Sequence, residues 1–222
     1  VDEGVSCAPR SVTLQQAINM TRRRTGMSAM AAAFGDDVAV VDVGIAADVP
    51  GVGILDRKVR RGTGNIAVED AMTRPEALAA MAAGMEQAAR ARADSITALG
   101  IGEMGIGNTS TSAAVLSALT GADIEVVTGR GGGLTDEGFA RKKDVLRRAL
   151  TRRAVDKDDV LDVLCAVGGL DIAAMAGAFL GCARERIPAA VDGFISVVAA
   201  LCAVTLCPEV RDYLFLSHYS YE

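Results

Sequence analysis

Apolar residues recur along the chain in two alternating forms, longer stretches spaced for helices and short continuous runs suited to buried strands. Residues 11 to 33 (SVTLQQAINMTRRRTGMSAMAAA) predict a helix closed by Gly35, and the run DDVAVVDVG at 36 to 44 predicts a buried parallel strand. A loop rich in Pro, Gly and charge extends from Asp48 to Asn65. Thr73, with Glu76 three residues on, then forms a capping box ahead of an Ala-rich helix to Ala93. SITALGIG at 95 to 102 predicts a strand, followed by a glycine-rich turn, a helix from Thr109 to Leu119 and a short strand IEVVTG at 124 to 129. A second glycine-rich loop, GRGGGLTDEG at 129 to 138, leads into a basic helix through Arg153, a helix from Asp158 to Val167 and an apolar helix from Asp171 to Cys182. IPAAVDG at 187 to 193 predicts a strand ending in an acid. The run GFISVVAALCAVTLC, Gly193 to Cys207, is shorter than a bilayer crossing requires and reads as a buried helix.

Short apolar strands alternating with helices predict the α/β class: a doubly wound, Rossmann-like parallel sheet flanked by helices, with ligands at the carboxyl ends of the strands and the glycine-rich turns on one edge. The 222 residues fit a single domain, 1 to 222, with no internal repeat. Half the residues are hydrophobic but only 4% are aromatic, and there are 24 glycines, which suits helices packed closely on a sheet. The net charge of −5, with basic residues only in short runs such as Arg22-Arg23-Arg24, argues against nucleic acid. Nothing in the chain reads as a membrane span or a signal peptide. Five cysteines, at 7, 165, 182, 202 and 207, show no CxxC spacing and read as reduced core thiols of a cytoplasmic protein. The chain opens on Val1 where a native start would have Met, so it reads as part of a longer protein.

Candidate chemistry concentrates in GIGEMGIGNTSTSAA, 100 to 114. Gly102, Gly105 and Gly107 bring backbone close to a ligand, and Asn108 or Thr109 is placed to cap the next helix, whose free N–H groups and positive dipole end form an anion site. Glycine spacing alone fits a tight strand-to-helix turn equally well; the embedded Glu103 distinguishes the two. A carboxylate beside an anion loop needs something cationic or a proton to take, unless it holds a neighbouring loop. In GRGGGLTDEGFARKK, Arg130 and Lys142 are cations for a phosphate or carboxylate, three glycines form a backbone cradle, and Thr135 caps a helix carrying Asp136 and Glu137 in its first turn; a surface turn before a solvated helix is the competing reading. Asp192 closes its strand either as a ligand contact or as the cap of the next helix. His218 with Ser217 and Ser220 lacks the third member of a hydrolase triad. No zinc, P-loop or other metal pattern occurs, and the chemistry calls for no metal and no cofactor.

Together GEMGIGNTSTSAA, GRGGGLTDEGFARKK, GGLDIAAMAGAFLG, IPAAVDGFIS and YLFLSH, with EGVSCAPRSVT and VVDVGIAADVPG…LDRKVRRGTGN, resemble the nicotinate-nucleotide:dimethylbenzimidazole phosphoribosyltransferase family through almost the whole chain. The resemblance implies a doubly wound α/β domain with a small domain from both chain ends, the latter largely outside these residues, and a homodimer. It implies attack by a ring nitrogen of 5,6-dimethylbenzimidazole on C1′ of nicotinate mononucleotide, expulsion of nicotinate and inversion to α-ribazole 5′-phosphate. Gly105, Ile106, Gly107, Asn108 and Thr109 would hold the phosphoribosyl part with Gly131 and Gly132. Glu103 and Lys142 would line the reaction centre, Lys142 facing the nicotinate carboxylate. GRGGGLTDEG departs from the commoner GRGTGLDDEG, and the family's general-base glutamate would lie beyond residue 222, Glu222 not being that residue. Two further readings stand beside this one: another acceptor base, a purine or phenol, on the same fold, and a non-catalytic nucleotide-binding protein.

Overall fold

In the computed structural model, which describes residues 3–49, 51 and 53–218, the chain alternates helices with strands of three residues each. Ser220 and Glu222 lie outside the described residues. Helix α1 (Ser11–Thr21) stops well short of the predicted end, and α2 (Gly26–Phe34) starts afresh. Arg23 takes a left-handed backbone (φ 57°) between them, and Thr25 and Ser28 form a new capping box, so local cap chemistry divides what periodicity joined. Gly35 closes α2 at φ 79°, as its position predicted.

Strands β1 (Val40–Asp42) and β2 (Ile54–Asp56) pair in parallel, Val40 opposite Ile54; β2 sits inside the stretch read as loop. A second parallel sheet has the order β3 (Leu99–Ile101), β4 (Ala189–Val191), β5 (Leu214–Leu216), with Leu99 opposite Ala189 and Ala189 opposite Leu214. Parallel pairing and the α/β class agree with the sequence, but the strands form two small sheets among the described residues rather than one. The helices are α3 (Arg74–Ala93), α4 (Asn108–Thr120), α5 (Ile124–Val127), α6 (Asp136–Thr151), α7 (Val160–Val167), α8 (Leu170–Glu185) and α9 (Phe194–Leu206). A 3-10 turn, Pro208–Tyr213, leads into β5. The predicted strand at 124 to 129 is instead α5. Asp123 accepts from the Glu125 N–H at 2.9 Å and starts a helical turn, which outweighs the β preference of Val126 and Val127.

Thr73 and Glu76 cap α3 as their spacing predicted, the Thr73 N–H donating to Glu76 at 2.7 Å. Helices α3 and α8 approach so closely that a Cβ on Gly84 would run into the Ala174 carbonyl, and one on Gly177 into the Met81 carbonyl. The Ala and Gly content of both helices is what permits this contact. One buried cluster runs from Ile66 to Val210 and includes Leu164, Ile172, Phe179 and Val191. Cys165, Cys182 and Cys202 belong to it, and burial pushes the thiols of Cys182 and Cys202 up to about 12. Cys7 does not fit the core-thiol reading: it is exposed, and Cys207 is half-buried. No described helix is long and apolar enough to cross a membrane.

Candidate active site

Parallel strands side by side bring their carboxyl ends to one edge, and the acids predicted there converge. Glu103 follows β3 by two residues and Asp192 follows β4 directly. A Cβ on Gly102 would lie 3.4 Å from Asp192 Oδ2, so the two strand ends touch. Asp192 itself is exposed, and no side chain caps α9, which removes the capping alternative for it.

The loop after β3 turns into α4 at Gly107, whose φ of 99° is left-handed and favours glycine. Neither Asn108 nor Thr109 caps α4; the N-cap position falls on Gly107, and both side chains are used elsewhere. Asn108 Nδ2 donates to Glu103 Oε2 and, at 2.8 Å, to Asp171 Oδ2. The Thr109 hydroxyl receives a hydrogen bond from Lys142 Nζ at 2.9 Å, and the same ammonium donates to the Gly129 carbonyl at 2.9 Å. Lys142, from α6, is fully buried, so it ties the first glycine loop to the second from behind. The loop is also fastened from α1, where Thr13 Oγ1 accepts from the Ile106 N–H at 3.1 Å.

A pocket of about 190 Å³ opens between the two glycine-rich loops. Glu103, Gly105, Ile106, Gly107, Asn108, Thr109, Arg130, Gly131 and Gly132, all expected from the sequence, line it; Lys142 and Asp192 do not. Arg130 bonds Asp136 at 2.6 Å and sits 4.8 Å over the Phe139 ring. Because that ion pair is exposed, it holds the guanidinium only weakly and leaves it exchangeable for an anionic group. The positive end of α4 faces the pocket that its first residues line, supplying a second attraction for an anion.

Burial pushes Glu103 up to about 7, with the Asp171 charge second and Asp192 behind it, while the Asn108 hydrogen bond acts against them. Burial likewise raises Asp171. A carboxyl group that exchanges its proton near neutrality between two glycine-rich loops is suited to proton transfer. Ser217 and His218 are hydrogen-bonded at 2.8 Å but lie exposed after β5 and do not line the pocket, so they form no part of this site.

Sequence reasoning missed two contributors. Asp171 stands in GGLD, where two glycines ahead of an acid were the available signal. The segment Val5 to Ala8 closes one wall of the pocket, with Cys7 Sγ 3.2 Å from the Gly132 carbonyl, and its signal lay in the family-like EGVSCAPRSVT.

A family model described as phosphoribosyltransferase matches residues 1–222. A nicotinate-nucleotide–dimethylbenzimidazole phosphoribosyltransferase of Geobacter metallireducens is 47% identical over 223 residues, covering 100% of this chain and 63% of that protein. One of the same name from Clostridium perfringens is 46% identical over 221 residues, again across 100% of this chain and 61% of the relative. The crystal structure of CobT from Thermus thermophilus superposes with a TM-score of 0.94 at 42% identity, covering 99% of this chain and 66% of the other. The chain thus spans somewhat under two thirds of the length of these curated relatives.

Proposed function

The chain belongs to the phosphoribosyltransferase family, and from that premise we propose that it transfers the phosphoribosyl group of nicotinate mononucleotide to 5,6-dimethylbenzimidazole, giving α-ribazole 5′-phosphate and nicotinate. A ring nitrogen of the acceptor attacks C1′ from the face opposite the leaving group, so the sugar inverts. The C1′–N bond breaks with its electron pair going to nicotinate, and the new benzimidazolium loses its N–H proton. The observation that carries this reading is the meeting of two glycine-rich loops around one pocket whose charged lining residues are Glu103 and Arg130.

In this reading Glu103 is the catalytic carboxylate of these residues, lining the reaction centre and able to exchange a proton near its midpoint of about 7, while the general base that takes the acceptor proton lies beyond residue 222. Gly105, Ile106, Gly107, Asn108 and Thr109 cradle the phosphoribosyl part with Gly131 and Gly132, and Arg130 neutralises the phosphate. Lys142 fixes Thr109 and the second loop from beneath, which supports a role in holding the donor. Asp192, at the end of β4 beside the Glu103 loop, is a further substrate contact in this reading. The pyridinium is a good leaving group, so positioning and charge supply the catalysis.

The reading further includes one α/β domain across the chain, a cytoplasmic location and a homodimer. Supporting self-association, α2 buries Ser28 and exposes Met27, Met30 and Phe34, the last 80% exposed, an inverted pattern for a surface helix. Sedimentation of the chain against a Met27→Gln, Met30→Gln, Phe34→Gln variant should show association lost in the variant.

The decisive assay is nicotinate release from nicotinate mononucleotide, with and without 5,6-dimethylbenzimidazole, for the chain and for Glu103→Ala. Base-dependent release that falls by about a hundredfold or more in the variant is expected, the usual range for losing a proton-transfer group. Saturable donor binding without release would mean that the glutamate beyond residue 222 is required or that the chain is a nucleotide binder, and release with a purine or phenol alone would move the reading to another acceptor.

A further inference from the structure

Asp171 takes no part in the steps above, yet the loops around it are shaped to admit it. It lies in the first turn of α8, where Oδ1 accepts from the Ile172 N–H at 2.9 Å and Oδ2 accepts from Asn108 Nδ2 at 2.8 Å. A Cβ on Gly105 would lie 2.8 Å from Oδ2, and one on Gly169 would run into Oδ1. Neither glycine has a positive φ. Their backbone conformations are therefore open to other residues, and each position lacks a side chain because the Asp171 carboxyl fills the space. The GEMG and GGLD motifs interlock at this point.

Asn108 is the link. Its amide nitrogen carries two N–H bonds, one directed at Asp171 and the other at Glu103. The reverse amide orientation would set its oxygen against two carboxyl groups, so the arrangement has one stable sense. Glu103, on the β3 loop, and Asp171, on α8, are thereby fixed relative to each other through a residue of α4.

We infer that Asp171 is a positioning residue that acts on Glu103 through Asn108, holding the Glu103 carboxyl in the pocket and setting the pH at which it takes up a proton; that this carboxyl faces the reacting sugar rests on the transferase reading above. The charges facing Glu103 are Asp171 from α8 and Asp192 from the end of β4, and Arg130 is the cation lining the same pocket. Two carboxyl groups joined by one amide resist double ionisation, so the charge on Asp171 favours a proton on Glu103. Burial is the largest cause of the raised Glu103 midpoint; the Asp171 charge adds to it, and the Asn108 hydrogen bond opposes both by stabilising the ionised form.

The test is an NMR titration of carbon-13-labelled carboxyl groups in the purified chain, which requires no turnover. Glu103→Gln identifies the Glu103 signal. In Asp171→Asn, which keeps an acceptor for Asn108 and removes the charge, the Glu103 midpoint should fall by at least about one pH unit. In Asn108→Ala, which removes the bridge and leaves both acids, it should rise. An unmoved midpoint in folded Asp171→Asn overturns the inference, and if that variant does not fold, a midpoint that fails to rise in Asn108→Ala overturns it. Where the wild-type chain releases nicotinate, the rising limb of its pH–rate profile should move with the NMR midpoint in Asp171→Asn. Failure of the transferase reading would appear as no release with these midpoint shifts intact, whereas failure of this inference would appear as static midpoints whether or not nicotinate is released.

Discussion

Glu103 has consequences for stability as well as for chemistry. Its midpoint is raised from 4.5 to about 7, so the folded protein holds this proton more tightly than the unfolded chain. The resulting stabilisation is complete below pH 4.5 and is lost as pH rises through about 7. Glu103→Gln should therefore flatten the pH dependence of unfolding, gaining on the wild type by up to about 3 kcal/mol between acid and pH 8. Urea unfolding at the two pH values checks this, and parallel curves for the two proteins would contradict it. At this scale the sequence disclosed Glu103 and the glycine-loop residues, because a carboxylate between glycines is a local pattern. Asp171 offered only the faint signal of an acid after two glycines: its partner Asn108 is 63 residues away, and only folding brings them together. Lys142 was legible as a cation but not as a buried strut, since the Thr109 and Gly129 groups that satisfy it come from other elements.

Helices reveal how far caps and small residues direct the fold. The ends that a side chain or glycine marks, at Thr73, Thr135 and Gly35, were legible because each satisfies a nearby backbone group. The break between α1 and α2, and the helical turn at Ile124, show the same local cap chemistry overriding apolar periodicity and β propensity. Between helices, the closeness of α3 and α8 depends on Gly84 and Gly177. Gly177→Ala places a methyl group against the Met81 carbonyl, where neither backbone can yield without separating the helices. We expect a loss of about 1–3 kcal/mol or more in denaturant unfolding. Gly121→Ala, where a Cβ would meet nothing, should cost only the strain of its left-handed backbone, about 1 kcal/mol. Equal losses for the two would rule out the close-packing account.

For the whole molecule, the α/β class and the parallel pairing followed from short apolar runs alternating with helices. Their division into two sheets did not, because three-residue strands carry no signal of which neighbour they pair with. The second sheet joins Leu99 to Ala189 and Ala189 to Leu214, so its first pairing closes a long loop that holds five helices, α4 to α8. Closing such a loop costs chain entropy before any contact offsets it, and the intervening helices, whose hydrogen bonds are local, can form first. Glu103 and Asp192 lie just past the ends of the two strands that this pairing joins. The two acids therefore stand together only where that long loop is closed, so a change that loosened the β3–β4 pairing would spare helices whose hydrogen bonds are local and still take the site apart.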